Sequence, residues 1–184
     1  MVVLTLILLA IQTPTEADYY AALRVAVPKS VELEVGGMQP LKDGSLLVCT
    51  RRGEVWRISN PLEEAPQFSL WAHGLQEPLG LWQQGEWIYS ATRGELLRMR
   101  DSNGDGRADD FETINDDWDI SGNYHEYNFG PRPDAEGNLW VTTNRAFGAE
   151  TFGHKDWRGW ALRLKPGEPM EPMAAGLRSP AGLE

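Results

Sequence analysis

Twelve residues, DSNGDGRADDFE from Asp101 to Glu112, carry an acid or amide at alternate positions, a glycine at the sixth and a glutamate at the last. This is the pattern D-x-[DN]-x-[DN]-G-x5-E with its spacing intact. Calcium takes six to eight oxygens at about 2.4 Å. Asp101, Asn103, Asp105 and Asp109 can turn side-chain oxygens inward, Arg107 can offer its backbone carbonyl, and Glu112 can close the site with two oxygens. Gly106 allows the sharp bend such a loop needs. Without an ion, the carboxylates at 101, 105, 109 and 110 repel one another. A solvated polar turn is the alternative reading. The flanking segments RGELLRMR and DFETIND read as strands. No helix pair stands ready to be opened by an ion, so the role expected is structural.

Other reactive side chains are few. Cys49, the single cysteine, lies in the apolar run SLLVCT and reads as a small buried side chain. One cysteine permits no internal disulfide, and no Cys-x-x-Cys-His attaches a haem within this stretch. Of the three histidines, His73 closes a strand and reads as structural, while His154 falls on a loop around RAFGAETFGHKDW. The formal net charge of -10 argues against nucleic-acid binding, which needs a basic face.

The elements that position these residues repeat. RGEVWRI from Arg52, RGELLRM from Arg93 and RGWALRL from Arg158 share one pattern. A glycine-led strand precedes each: GSLLVCT, GEWIYSAT and GNLWVTT. Gly44 and Gly85 stand 41 positions apart. GLQEPLGL from Gly74 and GLRSPAGL from Gly176 share Gly-Leu-x-x-Pro-x-Gly-Leu, with a diverged copy, HEYNFGPRPD, between them; each is expected to be a strand. A fourth strand follows each Arg-Gly motif, in FSLWAHG, DFETIND and EPMAAGL. A period near 40 with short strands is the signature of propeller blades. The predicted fold is all-β: a partial β-propeller of about three four-stranded antiparallel blades, near 30–74, 75–119 and 120–176, with residues 177–184 starting a fourth. The calcium-type loop would then clip an insertion between the third and fourth strands of the second blade. Three blades do not close a ring. The expectation is therefore the N-terminal part of a longer propeller, or two copies completing one ring.

The segment NYHEYNFGPRPDAEGNLWVTTN, from Asn123 to Asn144, resembles a blade start of the glucose/sorbosone dehydrogenase-like six-bladed propellers, which use pyrroloquinoline quinone. GLRSPAGL resembles the motif opening a later blade of that family. The Asp/Gly-rich loop followed by Gly-Asn-Tyr-His-Glu-Tyr is closer still to bacterial membrane-bound dehydrogenase-like proteins, where such a propeller precedes a c-type haem domain. The resemblance implies that His125 is the general base taking a proton from a sugar or other alcohol, a task suited to imidazole. Asp119 is a candidate to orient it. Arg178 corresponds to the family's cofactor-side arginine and would stabilise negative charge on quinone oxygens. Ser179 stands where the sugar dehydrogenases have Asn, and the Glu-Tyr after His125 replaces small residues, which is expected to crowd the cofactor.

The apolar run from Val2 to Ile11, with Ala17 at a cleavage distance, reads as a signal peptide over residues 1–17, ahead of propeller sequence over 18–184. The run is too short to span a bilayer, so no transmembrane span is expected. Periplasmic or extracellular localisation follows. Two functions are compatible with these features: a secreted quinoprotein-type sugar or alcohol dehydrogenase carrying a calcium loop, and a non-catalytic calcium-stabilised propeller binding carbohydrate or a protein partner.

Overall fold

A computed structural model describes residues 13–120, 122–145 and 156–183. The run Val2 to Ile11 and His154 lie outside the described residues. Apart from one 3-10 turn at Glu16–Asp18, the described secondary structure is strand: β1 (Val35–Pro40), β2 (Leu46–Thr50), β3 (Val55–Ser59), β4 (Gln67–Ala72), β5 (Trp82–Gln84), β6 (Trp87–Ala91), β7 (Leu96–Arg100), β8 (Asp110–Asn115), β9 (Asn128–Pro133), β10 (Leu139–Thr143), β11 (Trp160–Leu164) and β12 (Glu171–Ala175). They form three four-stranded sheets, each in sequence order. All pairs are antiparallel. The fold is a partial β-propeller, as the repeat predicts.

Each Arg-Gly motif is the turn that starts the third strand of its blade. In the first blade the Gly53 N–H donates to the Thr50 carbonyl at 2.9 Å and Thr50 N–H to the Glu54 carbonyl at 2.8 Å. Gly53 sits at φ +89, and a Cβ there would lie 2.0 Å from the Leu75 carbonyl oxygen. The turn and the next blade are thus in backbone contact, which only glycine allows.

The sheets pack face to face. Leu47, Cys49, Val55 and Trp71 of the first blade meet Leu81, Ile88, Leu97 and Met99 of the second. Tyr89, Ala91 and Leu96, on the other face of the second blade, meet Leu139, Val141, Leu162 and Leu164 of the third. Strand alternation sends neighbouring residues into different interfaces, so Leu96 and Leu97 are both buried although they point apart. Each such side chain contributes roughly 1.5–3 kcal/mol when fully buried.

The Gly-Leu-x-x-Pro-x-Gly-Leu motif departs from its sequence reading. It is not itself a strand; regular pairing of the second blade begins only at Trp82. Pro78 has no N–H to give a ladder, and Gly80 adopts φ +151. Gly80 serves close approach instead. A Cβ on it would stand 2.3 Å from the Gly130 carbonyl oxygen, and one on Gly37 would stand 2.6 Å from the Gly80 Cα. These glycines let inner segments of successive blades converge on the axis. A cavity of about 280 Å³ runs beside them, lined by Gly36, Gly80, Phe129, Gly130, Arg132 and Leu183.

Antiparallel order fixes two ends of each sheet. The turns β2–β3 and β6–β7, the turn at residues 156–159 that starts β11, and the segments leading into each inner strand share one end, the mouth. Within the second sheet, the loop between β7 and β8 lies at the other end.

Candidate functional site at the mouth and the acidic loop

His125 sits on the segment that links β8 to β9 and so belongs to the mouth. Its backbone is held from three sides. The His125 N–H donates to Asn123 Oδ1 at 3.0 Å, the Tyr127 N–H donates to the His125 carbonyl at 3.0 Å, and Asn144 Nδ2 donates to the same carbonyl. The half-buried imidazole lies against Tyr124, ring centroids 3.9 Å apart and tilted by 35°, and meets Tyr127 edge-on at 6.4 Å. Glu126 does not crowd this mouth. It is 2 % exposed and turns towards Arg158, whose Nε lies 3.9 Å from its Oε1.

Asp119 is exposed at the start of the same segment, and its backbone carbonyl accepts from Arg158 Nη2 at 2.5 Å. Among its contacts, His125 meets Asn123, Tyr124, Tyr127 and Asn144. Arg178 is exposed after β12, and its carbonyl accepts the Arg145 N–H at 2.9 Å. Next to it, Ser179 Oγ donates to Asn144 Oδ1 at 2.8 Å. Asn144 therefore joins the His125 segment to the Arg178–Ser179 segment, and its N–H also donates to the Tyr127 carbonyl at 2.7 Å. The sequence reading missed Asn144. Its only signal was its place at the end of the strand LWVTT, where a buried amide needs partners on both sides.

Asp101, Asn103, Asp105 and Asp109 are gathered in one loop, away from the mouth end of their sheet. The Gly104 N–H donates to Asp101 Oδ1 at 2.7 Å and the Gly106 N–H to Asp101 Oδ2 at 2.8 Å. The Asp105 N–H donates to Asn103 Oδ1 at 2.8 Å and the Arg107 N–H to Asp105 Oδ1 at 2.9 Å. Asp109 accepts from the Ser102 N–H at 2.7 Å, a bond that holds its carboxyl below the ordinary range. Glu112, in β8, faces Arg98 across the ladder and accepts from its Nε at 2.8 Å. Among the described residues no three acidic, histidine or cysteine side chains converge as a ready metal cage. The donor set is nonetheless all oxygen, and each carboxylate keeps lone pairs beyond those its loop amides use. The loop also ties two blades together. The Ala108 N–H donates to the Trp71 carbonyl at 2.7 Å, and Ala108 packs on the cluster between the first and second sheets.

No family model and no curated protein sequence matches the chain. Solved structures share its fold, two sugar-dehydrogenase propellers among them. The PQQ-bound form of an aldose sugar dehydrogenase from Streptomyces coelicolor superposes with a TM-score of 0.62 at 16% identity, over 79% of this chain and 48% of that one. An oxidoreductase from Thermus thermophilus, described as a glucose dehydrogenase, superposes with a TM-score of 0.55 at 22% identity, over 73% of this chain and 44% of that one. The chain shares their propeller fold. It spans less than half the length of either. Among the described residues no helix is long and apolar enough to cross a membrane.

Proposed function

We propose that this propeller belongs to a quinoprotein-type dehydrogenase that oxidises a sugar or other alcohol. One observation carries the reading: Asn144 draws the His125 segment and the Arg178–Ser179 segment to the same end of the blades. A polyanionic quinone and a hydroxyl substrate need a cation and a base side by side. Arg178 would hold the quinone, and His125 would accept the hydroxyl proton of the substrate. Bound pyrroloquinoline quinone supplies the two-electron acceptor. The Asn123, Tyr127 and Asn144 bonds to the His125 backbone support this role, since they would hold such a base in place. Asp119 remains a candidate to stabilise the imidazolium from the start of the same segment.

Calcium in the 101–112 loop is part of the proposal, with Asp101, Asn103, Asp105, the Arg107 carbonyl and Asp109 as ligands. Glu112 would join only by leaving Arg98. The ion would act as a clip on the Ala108–Trp71 junction rather than in catalysis. Export to the periplasm or beyond, and a c-type haem domain as electron acceptor in the whole protein, complete the picture that the sequence resemblance implies.

The test is dye reduction by a sugar panel with added quinone and calcium, using the whole protein. Reduction that is lost in His125→Ala supports the proposal. A second reading, a non-catalytic calcium-stabilised propeller that binds carbohydrate or a protein partner, draws on the exposed ring of Tyr124 at the mouth. Correct folding with no quinone binding would favour it.

A further inference from the structure

The Arg-Gly arginines do different work in different blades. In the first blade Arg52 pairs with Glu32 at 2.6 Å, both more than half exposed. In the second and third blades the corresponding arginines turn inward onto the segment that carries Asp119, Asn123 and Asn128. Arg93 pairs with Glu77 at 2.9 Å and also donates to the Asn123 carbonyl. Arg158 donates to the Asp119 carbonyl at 2.5 Å and to Asn128 Oδ1 at 2.8 Å. Asn128 in turn donates to the Thr92 and Arg93 carbonyls, at 2.8 and 2.7 Å.

We infer that Arg93 and Arg158 form a two-sided clamp that positions the His125 segment between the second and third blades. Arg158 grips both ends of the segment, at 119 and 128, and Arg93 grips its middle, at 123. A planar guanidinium reaches two separated acceptors through donors held in fixed directions, whereas an ammonium offers three rotatable donors from one point. The Arg158 side chain is 7% exposed and faces the buried Glu126, so the segment presents its own counter-charge to the clamp. The second blade's turn also holds Asn128 through the Thr92 and Arg93 carbonyls, so displacement of either arginine would loosen the segment on one side while its backbone and amide bonds remain. The clamp itself stands on the hydrogen bonds alone. Its role in placing a catalytic base rests on the function proposed above.

Hydrogen exchange and histidine NMR on the folded protein, without cofactor, test the clamp separately from catalysis. Arg158→Lys keeps a positive charge opposite Glu126 but loses the fork. It should raise amide exchange in residues 122–128 at least tenfold, and shift or broaden the His125 imidazole signal, while β2 and β3 of the first blade exchange as before. Arg93→Lys should do the same, and Arg52→Lys should do neither. If Arg158→Met fails to fold, the lysine variants decide. Unchanged exchange at 122–128 in folded lysine variants, or an equal rise in all three blades, would overturn the clamp. A clamp confirmed in a protein that never binds quinone would sink only the catalytic reading.

Discussion

Cys49 and Thr142 do the same job two blades apart. The Cys49 Sγ–H donates to the Pro78 carbonyl at 3.2 Å, and Thr142 Oγ1 donates to the Pro180 carbonyl at 2.8 Å. Both acceptors are the proline of a Gly-Leu-x-x-Pro-x-Gly-Leu motif. The backbone repeats the match: the Leu75 N–H donates to the Gly53 carbonyl at 3.1 Å and the Leu177 N–H to the Gly159 carbonyl at 2.9 Å. Residues 176–183 therefore dock on the third blade as 74–81 dock on the first.

Cys49 should be chemically inert. It is fully buried, and burial pushes its thiol up to about 11. Because the thiolate is the nucleophile, iodoacetamide at pH 8 should label the native protein roughly a hundredfold or more slowly than the unfolded chain. Comparable rates in both states would show the thiol to be exposed. Cys49→Ser keeps the donor to Pro78 and should cost less than Cys49→Val, which leaves that carbonyl without its partner.

Gly80→Ala should destabilise the fold by about 2–4 kcal/mol in denaturant titration, since the new methyl meets backbone rather than a movable side chain. Gly44→Ala is the control for a left-handed glycine with open space around it. It should cost only the conformational penalty, about 1 kcal/mol. Equal costs at the two positions would mean that inner segments do not converge closely at Gly80.

Stability should fall in acid through two turn aspartates. Hydrogen bonds from Asn138 and Trp140 hold Asp134 at about 2, and bonds from Ser45, followed by Arg57, hold Asp43 at about 2. Both lie below the ordinary carboxylate value near 3.9. A depressed native value means that the unfolded state binds the proton more readily. The stabilisation is thus complete above about pH 5 and is lost as pH falls from about 4 towards 2. Melting curves between pH 2 and 6 should show this loss, flattened in Asp43→Asn with Asp134→Asn. An unchanged acid slope in the double variant would remove these turns as its source.

Much of this architecture was legible along the chain because repetition marks it. The Arg-Gly turns and the glycine-led strands encode β2, β3 and their counterparts by local rules of turn and alternation. The Pro-Leu-Gly-Leu segment misled because its residues suit a strand, whereas Gly80 is there for an approach made by Gly130, fifty positions on. The mouth was only half legible. His125 and Arg178 stood out by residue type and resemblance, but Asn128, bonded to carbonyls 35 and 36 residues earlier, had no local mark. The repeated arginines share one local pattern, and nothing in one copy tells that two of three turn inward on the same segment.

Calcium should stabilise the chain through the 101–112 loop. If the ion binds only the folded state with a dissociation constant near 10 µM, 1 mM calcium adds about 2.7 kcal/mol. For a domain of this size that is roughly 5–11 °C in melting temperature. Asp101→Asn and Asp105→Asn together should abolish the gain. Glu112→Gln tests the twelfth position separately. Since Glu112 is bonded to Arg98, a calcium response that survives Glu112→Gln would leave that side chain in its cross-strand pair. No calcium response in the unaltered chain would return the loop to a polar turn.

Asn144→Ala tests whether the mouth is one unit. The side chain serves two segments, donating to the His125 carbonyl and accepting from Ser179. It is 5% exposed, so water replaces neither partner without rearrangement. The variant should lose about 1–3 kcal/mol. It should also uncouple Ser179 from the His125 segment, so that Ser179→Ala costs less in the Asn144→Ala background than in the unaltered protein. A double-mutant cycle reads this coupling directly. Additive costs would place the two segments in separate units, and with them the base and the cation that the proposed oxidation needs side by side.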